Sequence, residues 1–439
     1  MVGSEVCKVY FWDIVACIKS LFRDPNFMPY LVFRPEKHYT DKDKMVQMYH
    51  DMHTGRWWWT TQVRILTSSF ASVSHPIWTQ EKLDRDCPGV TVIPIIISTN
   101  KTQLTLFKNK TAYPLYLTIG NIPKEICHKL SFRGYILLAY LPTTRLQHVS
   151  NQAQQRRLLA SLYHACMKRI LQPLEAARVS GLSVTSGDGL TRRGHPLFAS
   201  FVGDYPEQVL TTGTFTGECP MCPEDHDHLE YYDENTPPGL HNLNEIFKAL
   251  DCFDDDPTGF LKTCAKAGIK PLPEPFWKDL PYANPFRSIT PDILHQLYQG
   301  IVKHVISWII EAYVAEEIDA RCQCMPPNHN IRLFMRGITS LSWVTGQEHD
   351  QMCWILLDLI INIPLPGGIS SAPLVWSVCA LLNFLYLSQY PIHTNETLDL
   401  LEDPLSQFHQ NKYIFVDLGI QDGFNIPQVT LCLALCWAH

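Results

Sequence analysis

The segment that most constrains this chain is Val90–Asn121, VTVIPIIISTNKTQLTLFKNKTAYPLYLTIGN. Val90–Ser98 is a nearly unbroken β-branched run. Such a run offers no polar face to water, so it predicts a strand buried on both sides. Gln103–Phe107 and Tyr113–Ile119 alternate apolar with polar residues, the pattern of half-exposed strands. The expectation is three short strands in sequence, the first of them central, in an α/β fold. Asn100 falls just past the end of that first strand.

At 439 residues the length suggests two or three substructures. An apolar content of 46% with 18% charged residues is ordinary globular composition. The net charge of −7 argues against a chain that coats nucleic acid without specificity. It does not exclude a nuclease, whose carboxylates add negative charge. The 15 cysteines are scattered without the spacing of a secreted disulfide framework. The N-terminus lacks a basic segment before its apolar run, so no signal peptide is read there. These features point to a reducing compartment. Ala372–Tyr390 is free of charge and near the length of a membrane span. Its internal Asn383 and the absence of basic flanks favour a buried core helix and no membrane.

Four regions follow from the changes in pattern: 1–80, helical and then aromatic; 81–215, strands and a helix; 216–345, richer in Asp and Pro; and 346–439, mainly helical. Asn151–Arg178 predicts a helix with a break at Pro173. Leu182–Thr185 and Pro196–Val202 read as paired strands about the turn Ser186-Gly187-Asp188-Gly189. The second of them runs straight into Gly203-Asp204. Trp57, Trp58 and Trp59 offer faces on which bases can stack, though bracing of the sheet is the preferred reading. The acidic run Asp251–Asp256 reads as a solvated loop. Cys219-Pro-Met-Cys222 has the spacing of a zinc-binding pair. A closed site needs two more ligands, for which His226, His228, Cys252 and Cys264 are equal candidates.

Several blocks carry a family resemblance. S-T-N-K-T-Q-L-T and K-T-A-Y-P-L-Y-L-T-I-G-N-I-P-K-E-I are followed by G-D-Y-P-E-Q (Gly203–Gln208), C-P-M-C and P-F-W-K-D-L-P. T-P-D-I-L-H-Q-L-Y-Q-G (Thr290–Gly300) and T-G-Q-E-H-D-Q-M (Thr345–Met352) come after them, and Y-H-D-M-H-T-G-R-W-W-W-T-T-Q precedes the first strand. In this order, from about Asp24 to Pro427, they resemble the Plavaka transposases, elements of basidiomycete fungi related to the CACTA and KDZ groups. The resemblance implies an RNase H-like mixed sheet with a long mixed insertion and a helical C-terminal half. It also implies DNA strand cleavage and joining at transposon ends, DNA as partner and action in the nucleus, with the cytoplasm as the alternative; whether the chain forms a homo-oligomer is left open. Val429–His439 does not resemble the family and reads as a premature or mis-spliced end.

Such transposases hold two Mg²⁺ or Mn²⁺ ions on three acids, because these hard cations prefer oxygen ligands. By resemblance the three positions are Asn100, Asp204 and Glu348, with Asp292 and His295 of the D-x-x-H motif in support. The family carries an aspartate where this chain has Asn100. Asparagine offers one neutral carbonyl oxygen in place of a charged bridging carboxylate. The resemblance therefore implies a transposase impaired in catalysis. The rival expectation is a catalytically dead DNA- or protein-binding module, or a genomic relic.

Overall fold

The computed structural model describes residues 6–68, 90–105, 110–224, 229, 239–253, 256–280 and 283–424. The chain divides into two compact units: Met1–Thr216 with Leu240–Thr290, and Gly217–Gly239 with Pro291–His439.

The first unit is built on a mixed sheet. In chain order its strands are β1 (Tyr10–Phe11), β2 (His38–Tyr39), β3 (Gln47–Tyr49), β4 (Val90–Thr99), β5 (Thr102–Gln103), β6 (Thr111–Ala112), β7 (Pro114–Ile119), β8 (Ile136–Tyr140), β9 (Leu182–Thr185) and β10 (Thr191–Val202). Six of them form one sheet in the order β1-β8-β7-β4-β10-β9. β4 and β10 run parallel, while the other pairings in this sheet are antiparallel. β4 lies inside the sheet with Val92, Ile93, Ile95 and Ile97 fully buried. Neighbouring side chains on a strand point to opposite faces, so both faces of β4 are covered. Each such aliphatic side chain contributes about 1.5–3 kcal/mol on burial.

Pro94 would remove a ladder bond from most central strands. Here its carbonyl accepts from Gly120 N–H at 2.8 Å, so this residue's polar edge faces the point where β7 ends. The missing N–H therefore falls outside the β4–β10 ladder. Gly120 is needed there: a Cβ would sit 2.9 Å from Pro94 Cβ.

One expected strand is corrected. Of Gln103–Phe107, only Gln103 is in a strand among the described residues. With Thr102 it pairs to Thr111–Ala112 in a separate two-stranded ribbon. Thr102, Gln103 and Leu104 are exposed, so their alternation reflects an outlying ribbon and not a sheet face. The second strand on this side of β4, next to β7, is Ile136–Tyr140, a short apolar segment whose pairing the local pattern does not disclose. The hairpin β9–β10 forms as expected, with Thr185 opposite Thr191.

Trp58 is fully buried against Val92 of β4 and Leu197 of β10, which bears out bracing for that residue. The acidic run is consumed locally where it is described: Asp251 pairs with Lys278 at 3.0 Å, and Asp256 Oδ1 accepts from Gly259 N–H at 2.8 Å.

The second unit is helical. Its core joins Leu297, Val305, Ile309, Leu356, Leu381 and Phe415, among others. The charge-free segment forms the helix Ala372–Ser388 and buries Leu374, Val378, Leu381 and Leu385 at helical spacing, with Asn383 exposed. Among the described residues, no helix is long and apolar enough to cross a membrane. Val429–His439 lies outside the described residues.

Helix Gln152–Leu171 starts at Asn151, whose Oδ1 accepts from Gln154 N–H, and Pro173 opens a second helix, Pro173–Ser180. The first of these carries a buried His164, whose Nε2 donates to Leu210 O at 2.9 Å while Nδ1 accepts from Phe276 N–H at 3.4 Å. Only the neutral ring can satisfy both, and burial pushes its pKa down to about 4 from 6.5. Its contribution to stability is complete above pH 6.5 and is lost as pH falls toward 4. The full loss is on the order of 3 kcal/mol. Urea unfolding across that window should show the decline, and His164→Gln should flatten it. An unchanged slope in the variant would contradict this assignment.

Candidate functional site

The parallel pairing of β4 and β10 has a simple geometric outcome. Ser98 stands opposite Val202, so Asn100 and Asp204, each two residues farther on, leave the same edge of the sheet level with each other. Adjacent strands are separated by roughly 4.8 Å. Gly203 makes the approach possible, because a Cβ there would lie 2.9 Å from Glu207 Cβ and 3.3 Å from Thr99 O. Asn100 is exposed and Asp204 half-buried.

Asp204 also has a local task. It is the N-cap of helix Tyr205–Thr212, and its Oδ1 accepts from Glu207 N–H at 3.1 Å. Pro206, in the first turn, needs no such acceptor.

The same turn brings in a residue that the sequence did not single out. Glu207 is buried, and its Oε2 accepts from Tyr113 Oη at 2.5 Å. Burial pushes its carboxyl up to about 7; the Tyr113 hydrogen bond opposes the rise, the Asp204 charge adds to it, and Lys101 opposes it. This edge therefore holds the half-buried capping side chain of Asp204, one neutral amide and one buried carboxyl whose pKa is raised. The G-D-Y-P-E spacing put Glu207 on the first helical turn after Asp204, and that was its only signal in the sequence.

In the second unit, Glu348 belongs to helix Gly346–Ile360. Thr345 and Glu348 form a capping box: Glu348 Oε2 accepts from Thr345 N–H at 2.9 Å and from Thr345 Oγ1 at 3.0 Å. Its Oε1 pairs with Arg332. The amide and hydroxyl of Thr345, followed by the Arg332 charge, hold the Glu348 carboxyl below the usual range. T-x-x-E ahead of an apolar helix is the sequence signature of this box.

Asp292 is not within a helix beside His295; it caps the π-helical segment Ile293–Val302. Its Oδ1 accepts from His295 N–H at 2.7 Å, and His295 Nδ1 lies 3.0 Å from Asp292 Oδ2. The D-x-x-H motif thus closes on itself as a cap and an Asp–His pair.

Cys219 and Cys222 are buried in the second unit. Cys219 Sγ accepts from the amides of Met221 and Cys222, each at 3.4 Å. Burial raises the Cys219 pKa, but hydrogen bonds from the Cys222 thiol and these amides outweigh it, and the net direction is down. A stabilised thiolate is the form that binds zinc. Among the four further candidates, His226 and His228 lie outside the described residues. Cys252 and Cys264 belong to the first unit, where Cys252 Sγ donates to Lys248 O at 3.2 Å.

The two roles of Asp204 can be separated by substitution. Asp204→Ala should cost about 1 kcal/mol through the lost cap, whereas Asp204→Asn should retain nearly all the stability. Urea midpoints of the two variants measure this, and equal losses would show that the cap is not what Asp204 provides to the fold.

Comparison with known proteins agrees with the blocks in the sequence. No curated protein matches the chain. The Plavaka transposase family model matches residues 1–75 and 69–309, a span that includes Asn100, Asp204, Asp292 and His295, with Glu348 beyond it. The chain belongs to the Plavaka transposase family.

Proposed function

We propose that this chain is a transposon-derived DNA transposase whose metal-dependent strand cleavage is impaired by Asn100. The observation that carries the reading is the register of β4 with β10, which sets Asn100 level with Asp204 at one sheet edge. Support for an RNase H-like sheet comes from a buried first strand with two successive antiparallel strands on one side and a parallel strand on the other. Membership of a transposase family makes DNA the general partner; a nuclear site of action is part of the proposal.

The residues present do not fit a pair of divalent ions. Two such ions concentrate about four positive charges and need charged oxygen donors able to bridge them. Asn100 supplies a neutral oxygen, Glu207 a buried carboxyl raised to about 7, and Glu348 a carboxylate engaged by Thr345 and Arg332. What the chain retains is the scaffold that carried one. A second reading, a DNA- or protein-binding module without cleavage, is favoured by Asn100 itself.

Asn100→Asp restores one charge with almost no change in volume. The parent chain should show no Mn²⁺-dependent nicking of supercoiled DNA, and the variant should nick above background. Equal nicking by both, abolished by Asp204→Ala, would show that position 100 is not a ligand. DNA binding without nicking by either form would favour the binding module.

The two-residue spacing of Cys219 and Cys222, with the Cys219 sulfur accepting two amides, further supports a structural zinc there. Purified parent chain should contain more zinc than the Cys219→Ser variant by about one equivalent. Identical metal content in the two would remove these cysteines from any zinc site.

A further inference from the structure

Three histidines far from the Asn100 edge converge without a role in the reading above. His38 begins β2, His50 follows β3, and His53 sits in the 3₁₀ turn Met52–Thr54. The β2–β3 hairpin pairs His38 with Met48, and Glu36 N–H donates to His53 O at 2.9 Å. These two contacts draw residues 36–38 alongside 50–53. Asp51 then fixes the turn: it caps Met52–Thr54, and its Oδ2 accepts from Lys124 N–H at 2.9 Å.

The three rings form a nearly equilateral triangle, with centroids 5.0, 5.4 and 5.4 Å apart. One nitrogen from each lies within 4.8 Å of the other two. His38 Nδ1 and His50 Nε2 are 2.8 Å apart. His53 is 5% exposed, yet its buried Nδ1 has no hydrogen-bond partner. Buried polar atoms in native proteins nearly always have one, so an unpaired nitrogen on a ring packed against two other imidazoles calls for a missing group. Glu36 Oε2 lies 3.1 Å from His38 Nε2. A carboxylate accepting from Nε2–H leaves the lone pair on Nδ1, the atom turned toward His50. Carboxylate–histidine pairs of this kind orient the ligands of metal sites.

We propose that His38, His50 and His53 bind a divalent transition-metal ion of the zinc class, with Glu36 as the positioning residue. Nitrogen donors select such an ion over Mg²⁺ or Ca²⁺, which prefer oxygen. Three ligands at 2.0–2.1 Å in tetrahedral array stand roughly 3.4 Å apart, within what small ring movements here reach. The ion would fasten the hairpin to the turn that packs Met52 beside Pro94 and Gly120. Pro94 is six residues before Asn100, roughly 20 Å along the strand. The site is thus separate from the proposed nuclease edge and does not depend on that reading.

The test uses the full chain without a histidine tag, in a Cys219→Ser/Cys222→Ser background that removes the other candidate zinc site. Co²⁺ is the probe, with Zn²⁺ as competitor. One equivalent of Co²⁺ should bind, showing visible d–d absorption and no thiolate charge-transfer band, and Zn²⁺ should displace it. His50→Ala and His53→Ala should each weaken binding by at least ~100-fold, and Glu36→Gln by ~10-fold or more. His38→Gln, at a half-buried position, provides a variant less exposed to misfolding, and circular dichroism checks each fold. No Co²⁺ or Zn²⁺ binding by the background chain would overturn the proposal. So would folded His50, His53 and His38 variants that bind Co²⁺ as the background does.

Discussion

The parallel pairing of β4 with β10 is the contact on which the rest of the first unit depends. It joins segments about a hundred residues apart, so its formation costs chain entropy. Burial of Val92, Ile93, Ile95 and Ile97 on both faces of β4, with Leu197, Phe198 and Phe201 from β10, offsets that loss. The same pairing sets the height at which the chain leaves the sheet after each strand. Gly203 completes it by lacking the Cβ that would meet Glu207 and Thr99. A slip of one residue would put Asn100 out of step with Asp204.

The chemistry at that edge follows from environment more than from the number of acids. Asp204, at the half-buried start of a helix, shares its carboxylate with the Glu207 amide. Glu207, one turn on, is buried against Tyr113 with its pKa raised to about 7. Asn100 adds an oxygen but no charge. In the second unit Glu348 has both oxygens engaged, by Thr345 and by Arg332. The Glu348 charge is thus already compensated by its own cap and ion pair.

The parts of this structure most legible from the residues are those fixed by local physics. The β-branched run of β4, the glycine turn of the β9–β10 hairpin and the break at Pro173 each follow from side-chain shape or a missing N–H. Pairing was harder. Gln103–Phe107 and Ile136–Tyr140 look alike as short segments, and only the sheet register distinguishes ribbon from core strand. The capping box at Thr345 was legible as T-x-x-E, yet the family block drew attention to Glu348 as an acid. Glu207 had no pattern of its own. The histidine cluster shows the same limit: His50 and His53 are close in sequence, but His38 joins them only because β2 pairs with β3.

On the proposed reading, position 100 lacks the charge that would make its edge of the sheet a metal site. Mn²⁺ titration followed by electron paramagnetic resonance measures this without any need for turnover, since the signal of the free ion disappears on binding. Zinc-saturated parent chain should take up Mn²⁺ weakly, and Asn100→Asp should tighten uptake by about tenfold, the equivalent of roughly 1.4 kcal/mol. Asp204→Ala in the Asn100→Asp chain should reverse the gain. Identical Mn²⁺ binding by the parent and Asn100→Asp chains, both folded, would contradict the account.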